Sequence, residues 1–387
     1  MVFIFILTVL RRVSTFFVPI LVIPLIGLEG YGEIVDIMVW GALITSVLVL
    51  GQNVTLFNIQ SETVMSQHII AYLGMLFIVI VVPLILFSHY ITSDLTYKVL
   101  LGVTMVAYML FQTKCRYCEK QIKSLIGGAL IQPLILVIGL FLFQRFEYFI
   151  PIVILASWVI PTLLIIEIKP ASFSKRPKLN LSAVFLLHSF KTFITSMIDF
   201  LLLRLDFLII SLLFSTHELA IYALASNFAL LILQPQAILS FIGEPKIARH
   251  GRRWLNSQEK LRFKNINILL SAVGVIIFGI LGKYIIELIT GNDGIAYVHE
   301  IYVVSLVLML FYFLASCVGG LYPSILNLIH SGKSYNILSA CLAISAYILA
   351  FIGFYLFYKI DLTTVAICVG LSQFVRLSSS KYFVVFR

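Results

Sequence analysis

The sequence predicts an all-α integral membrane protein of about twelve transmembrane helices, in two six-helix bundles around a central cavity. Three observations carry that expectation. Apolar residues make up 61% of the 387-residue chain and charged residues only 11%, against about 45–50% and about 25% in soluble domains. Apolar runs of about 18 residues or more recur along the whole length, and in lipid a helix is the spanning form that pairs its own backbone. The polar links between these runs also alternate in charge, as loops on opposite sides of a membrane do.

The first run, MVFIFILTVLRRVSTFFVPILVIPLIG, carries Arg11 and Arg12 in its middle. A signal peptide would place its charge ahead of the apolar stretch and a small-residue cleavage site after it. A first span over 3–26 fits better, with Pro19 and Pro24 bending its outer end. The alternative begins the span after the arginines, with residues 1–10 lying at the interface. GLEGYGEIVD then reads as a compact turn before a second span at 34–56. Further spans follow at 68–88, 95–113, 122–143 and 148–168. The basic stretch KPASFSKRPKLN, centred on 170–180, separates an N-terminal bundle (1–169) from a C-terminal bundle (181–387).

The second half repeats the rhythm at 181–213, 219–243, 265–289, 300–326, 335–358 and 361–383. The links 4–5, 6–7 and 8–9 hold nearly all the loop lysines and arginines. Links 1–2, 3–4, 7–8 and 9–10 carry Glu29, Glu33, Asp94, Glu218, Asp293 and Glu300. With an even span count, both termini are expected in the cytoplasm of a multi-pass inner-membrane protein. The net charge of +10 is thus spread over loops rather than gathered in an aromatic-interleaved basic domain, which argues against nucleic acid as a partner. Five cysteines make no disulfide scaffold, and the links are too short for a soluble catalytic domain.

Intramembrane polar residues are the strongest functional signal, because a charge at mid-bilayer depth must face a partner or water. At 100° per residue, His188, Lys191, Thr192, Thr195, Asp199 and Asp206 share one stripe of the seventh span, with Arg204 almost opposite. Cations outnumber carboxylates within the spans, which suits an anionic cargo. Arg11 and Arg12 are candidate phosphate contacts, since a guanidinium matches a phosphate fork. Lys98 and Lys191 either share that task or snorkel to headgroups. Asn227 and Gln234 add polar contacts, the latter beside Pro235, where a freed carbonyl can face a cavity. Asp199 and Asp206 either carry a coupling ion or neutralise a basic neighbour. Cys115-x-x-Cys118 has no second ligand pair for zinc, and no nucleophile elbow, HExxH or Walker pattern occurs. No metal or resident cofactor is expected.

Four stretches resemble the polysaccharide-biosynthesis flippases, the O-antigen (Wzx-type) branch of the multidrug/oligosaccharidyl-lipid/polysaccharide exporter superfamily. They are the turn with Gly27, Tyr31 and Gly32 leading to Gly51, the pair Asp206 and Tyr222 on spans seven and eight, the Glu244-Pro245-Lys246 exit, and ELITGNDGIAYVHEIYVVSLV with LNLIHSGKSYNIL. The chain departs from the family in opening directly on apolar residues rather than a polar lead. The resemblance implies two bundles around a V-shaped cavity and a polyprenyl-pyrophosphate-linked oligosaccharide moved from the cytoplasmic to the periplasmic face. It implies coupling to an H+ or Na+ gradient and work beside a polysaccharide polymerase and chain-length machinery, with the lipid tail left among membrane lipids. An ion-coupled multidrug/cation antiporter of the same superfamily is the alternative, and it would favour cavity carboxylates. An O-antigen polymerase would carry a sizeable outer loop.

Overall fold

Proline and glycine decide where the helices break. The computed structural model describes residues 2–56, 59, 61–87, 92–118, 120–144, 149–166, 183–235, 258–291, 296–319, 332–358 and 360–385; of residues 2–17 only the backbone is described. Helix α1 (Val2–Val49) leaves helical geometry at Gly27 alone, where φ is 75°. The expected compact turn over GLEGYGEIVD is therefore a one-residue break. Glu29 and Glu33 fall in the first turns after it, where carboxylates favour a helix start, so the helix resumes at once.

Helix α2 opens as Glu62–Leu76 and passes through a wide π turn, Phe77–Val81, into Val82–Leu86. Helix α4 does the same, from Gln121–Ile126 through Gly127–Ile131 into Gln132–Phe143. In each case a proline follows, Pro83 and Pro133. Proline has no N–H to donate and its ring crowds the carbonyl four residues back, so the wider turn relieves the clash. Helices α3 (Ser93–Tyr117) and α5 (Phe149–Ile165) complete this half.

The later helices are α6 (Ala183–Leu213), α7 (Thr216–Leu230), α8 (Gln258–Thr290), α9 (Val298–Gly319), α10 (Gly332–Phe357) and α11 (Leu362–Val385). Every described residue of the ten predicted spans from 68–88 onward falls within or directly beside one of these helices, and no strand occurs among the described residues. Eight helices there are long and apolar enough to cross a membrane. Two more, Gln132–Phe143 and Phe149–Ile165, are apolar but shorter, and α6 is long but carries Lys191, Asp199, Arg204 and Asp206.

Contacts divide the chain into two compact units, Met1–Phe200 and Leu201–Arg387. That division falls inside α6, whereas the predicted linker at 170–180 lies outside the described residues. In the first unit α1 packs on α3 and α3 on α5. Its core joins Met65, Ile69 and Tyr72 of α2, Val106, Tyr108 and Phe111 of α3, and Phe185 of α6. In the second unit α11 packs against both α9 and α10, and α7 against α9. Tyr222 and Phe228 of α7 are its largest wholly enclosed side chains.

Candidate functional site

Gly51 is among the residues that carry the family resemblance, and the structure shows what it does. Leu50 and Gly51 both take left-handed backbone, with φ of 47° and 70°. A Cβ on Gly51 would collide with the Ser189 carbonyl and lie 2.6 Å from the Phe193 nitrogen, so α6 lies directly on this turn. Only glycine combines that conformation with that approach. Around the same turn, Gln52 and His68 form a buried 2.9 Å hydrogen bond, and the Thr113 hydroxyl donates to the Asn53 carbonyl at 3.0 Å. The Tyr72 hydroxyl donates to the Leu48 carbonyl. These bonds hold the break between α1 and α2 in one geometry.

The first half of α6 presents His188 and Lys191 as exposed side chains. Thr192 and Thr195 on the same stripe bond back to the carbonyls of His188 and Lys191, at 2.9 and 3.1 Å. Their hydroxyls thereby satisfy the helix itself, and His188 and Lys191 remain the exposed groups of that stripe. Asp199 is half-buried.

Lys98 is placed differently from the expected phosphate contact. Its ammonium lies 2.6 Å from Asp36 and 2.7 Å from Asp94, with the Trp40 ring 5.9 Å away. Two carboxylates already balance its charge, and it ties α3 to α1. Gln234 likewise turns back on its own helix, donating to the Leu230 carbonyl at 3.4 Å, and Asn227 is half-buried on α7. Arg11 and Arg12 lie on the backbone of α1, and their side chains are outside the described residues.

In the second unit the second half of α6 buries its carboxylate. Asp206 is 8% exposed and accepts a hydrogen bond from the Tyr222 hydroxyl at 2.6 Å. Phe207 meets the Tyr222 ring edge-on at 5.3 Å, which fixes the phenol's position. A cavity of about 10 Å³, room for one water molecule, opens beside Asp206 between α6, α10 and α11. Its polar walls are Asp206, Tyr347 and Ser372; its apolar walls include Leu202, Ile344 and Val369. The Tyr347 hydroxyl is buried without a hydrogen-bond partner, and Tyr312 of α9 lies within electrostatic range of Asp206. A buried carboxylate, an unpaired hydroxyl and space for one small species can take up a proton, a water molecule or a small cation. No group of three or more His, Cys, Asp or Glu side chains converges for a metal among the described residues.

Asp206 and Tyr222, quoted together from the sequence, are thus brought into direct contact. Tyr347, Tyr312 and Ser372 were not anticipated. Each is a lone hydroxyl in an apolar span, and that was the available signal, but its partner is distant in sequence.

The site and the helices together define an all-α membrane fold, and solved structures share it. The lipid II flippase MurJ in an inward closed conformation superposes with a TM-score of 0.76 at 17% identity, covering 99% of this chain and 87% of that one. An inward-facing multidrug resistance MATE family transporter of the MOP superfamily gives 0.66 at 12% identity, covering 97% and 94%. A MOP superfamily transporter from Pyrococcus furiosus, described as having a binding pocket of reverse polarity, gives 0.56 at 10% identity, covering 100% and 93%. No family model and no curated protein matches the chain. The chain shares the fold of these transporter structures.

Proposed function

We propose that this protein is a flippase that carries a polyprenyl-pyrophosphate-linked oligosaccharide, an O-antigen or capsule repeat unit, from the cytoplasmic to the periplasmic face of a bacterial inner membrane. The polarity of α6 supports this reading. Its exposed stripe shows the Lys191 cation beside His188, while the carboxylate of Asp206 is buried and bonded to a phenol. Such a helix offers positive charge to a cargo and withholds negative charge, which suits a pyrophosphate. The likeness to the lipid II flippase MurJ points the same way.

Movement by alternating access needs an energy source, and Asp206 with its one-water cavity is the group proposed to take up H+ or Na+ for it. Arg11, Arg12 and Lys191 are the proposed contacts for the pyrophosphate, with Asn227 and Gln234 as polar contacts for sugar. Lys98, held by Asp36 and Asp94, is left out of that set. The second reading, an ion-coupled multidrug/cation antiporter, is favoured by one observation: the MATE transporter is covered over 94% of its length, and MurJ over 87%.

Cells lacking the gene, with the upstream glycosyltransferases intact, separate these readings. The flippase reading expects lipid-linked repeat units to accumulate on the cytoplasmic face and to be cleared by the wild-type gene. Accumulation on the periplasmic face indicates a polymerase. No accumulation, with altered resistance to cationic compounds, indicates the antiporter.

A further inference from the structure

The cavity beside Asp206 restricts which species the site accepts. Its volume is about 10 Å³, the space of one water molecule. Its polar walls, Asp206, Tyr347 and Ser372, are 8%, 3% and 4% exposed, so a hydrated ion does not fit and an occupant must trade its water shell for protein oxygens. Leu202, Leu205, Ile344 and Val369 close other sides with hydrocarbon.

Sodium fares poorly in such a place. An ion sheds its hydration shell only where several oxygens replace it together. Membrane proteins often supply these from unwound backbone, whose carbonyls are free to turn toward the ion. Here α6 (Ala183–Leu213), α10 (Gly332–Phe357) and α11 (Leu362–Val385) run unbroken past Asp206, Tyr347 and Ser372. Their carbonyls remain in the helical ladders. That leaves the three polar side chains, and the Tyr222 hydroxyl already directs its hydrogen at the Asp206 carboxylate. A water molecule is easier to hold, because about two to four polar partners suffice. It can accept the hydrogen of the partnerless Tyr347 hydroxyl while donating to Asp206. The other groups around the carboxylate are Tyr222 on α7 and Tyr312 on α9, with Cys368 of α11 acting on Tyr347. Arg204, on the same helix, acts on Asp206 but lines no wall of the cavity.

We infer that this cavity is a one-water site that excludes sodium, in which Tyr347 holds the water that passes a proton to Asp206. The purpose of that proton rests on the flippase reading, and the inference narrows its coupling ion to H+. In the step itself, a proton from solvent adds to the water as the water releases one of its own hydrogens to a carboxylate oxygen of Asp206. The water is regenerated on the Tyr347 hydroxyl, and the carboxylate becomes a neutral carboxyl. The Tyr222 hydroxyl keeps its bond to the other oxygen, so α6 and α7 stay joined while the charge on α6 changes by one.

Two measurements on purified full-length protein in detergent test it. The first is the thermal midpoint as sodium chloride replaces potassium chloride at constant ionic strength. No shift is expected in the wild type. A sodium-specific rise that Asp206→Asn abolishes, as for a ligand bound only by the folded state, overturns the inference; a rise that Asp206→Asn retains places sodium elsewhere and leaves this cavity to water. The second is difference infrared spectroscopy across a pH step. Acidification is expected to raise a protonated-carboxyl band in the wild type that is missing from Asp206→Asn. A water O–H band that moves in oxygen-18 water is expected to change with it, and to be lost in Tyr347→Phe, which keeps the ring and removes only the hydroxyl. Absence of that water band from the wild type, or its persistence in Tyr347→Phe, overturns the inference. Cargo is absent from both measurements, so their failure leaves the flippase reading standing. That reading falls instead if lipid-linked repeat units do not accumulate in cells lacking the gene.

Discussion

The Tyr222 hydroxyl donates to Asp206 across 2.6 Å inside the second unit, where both side chains are buried. This bond links α6 to α7 and is what makes a buried carboxylate tolerable there. Removing the donor alone, in Tyr222→Phe, leaves an acceptor without its partner, which costs about 1–3 kcal/mol. The expected result is a lowered thermal midpoint in detergent. Asp206→Asn keeps a group that can accept the same bond, so its midpoint is expected near wild type while dependence of transport on the ion gradient is lost. A midpoint that falls equally in both variants would make Asp206 a structural residue only.

Lys98 illustrates the opposite case, a cation whose work is within the fold. Its side chain is 12% exposed and that of Asp36 20%, so the pair is largely shielded from water. Lys98→Met removes the cation that lies between Asp36 and Asp94. The destabilisation should lie between the ~1 kcal/mol of an exposed pair and the ~3–5 kcal/mol of a buried pair broken on one side. Adding Asp36→Asn should recover part of the loss, which a double-mutant cycle on thermal or denaturant melts reads directly. Additive losses would show that the two residues do not interact.

Gly51 is expected to tolerate no side chain. Gly51→Ala must hold a left-handed backbone and drive its Cβ into the Ser189 carbonyl, so the turn and the start of α6 must separate. Membrane abundance should fall sharply. Gly353→Ala is the control: nothing lies within 4 Å of its Cβ, and alanine in a helix interior gains about 0.5–1 kcal/mol over glycine. Normal abundance of Gly51→Ala would contradict the packing described.

Most of the helix pattern was legible because hydropathy and proline position act locally. The spans follow from residues near one another in sequence, whereas Gly51 was reached through the family resemblance and the π turns before Pro83 and Pro133 are seen only in the backbone. The site was only partly legible. Asp206 and Tyr222 could be paired by resemblance, but Tyr347 and Ser372 reach the same cavity from helices that begin over a hundred residues later, and a lone hydroxyl in an apolar run gives no partner. The partners of Lys98 were only half legible for a related reason. Its chain neighbour Asp94 was visible at helical spacing, whereas Asp36 comes from α1 and only the fold brings it near. Periodicity likewise put Thr192 and Thr195 on the polar stripe, where they in fact bond their own helix.

Cys118 provides a pH-dependent test at the end of α3. Burial pushes its thiol above the ordinary range, and the Glu62 carboxylate beside it pushes further, against the opposing pull of Lys114 and Lys120. A raised value means less thiolate at neutral pH, and the thiolate is the nucleophile. In a variant retaining only Cys115 and Cys118, maleimide labelling should be slow at pH 7 and rise steeply in the alkaline range, at a midpoint above that of a free thiol. Cys115 is 3% exposed and its thiol faces the Ile165 carbonyl at 3.7 Å, so the label should be found on Cys118. Glu62→Gln removes one of the two upward influences and should shift the labelling curve to lower pH. Fast labelling already complete at pH 7 would show that Glu62 and the surrounding protein do not enclose this thiol as described.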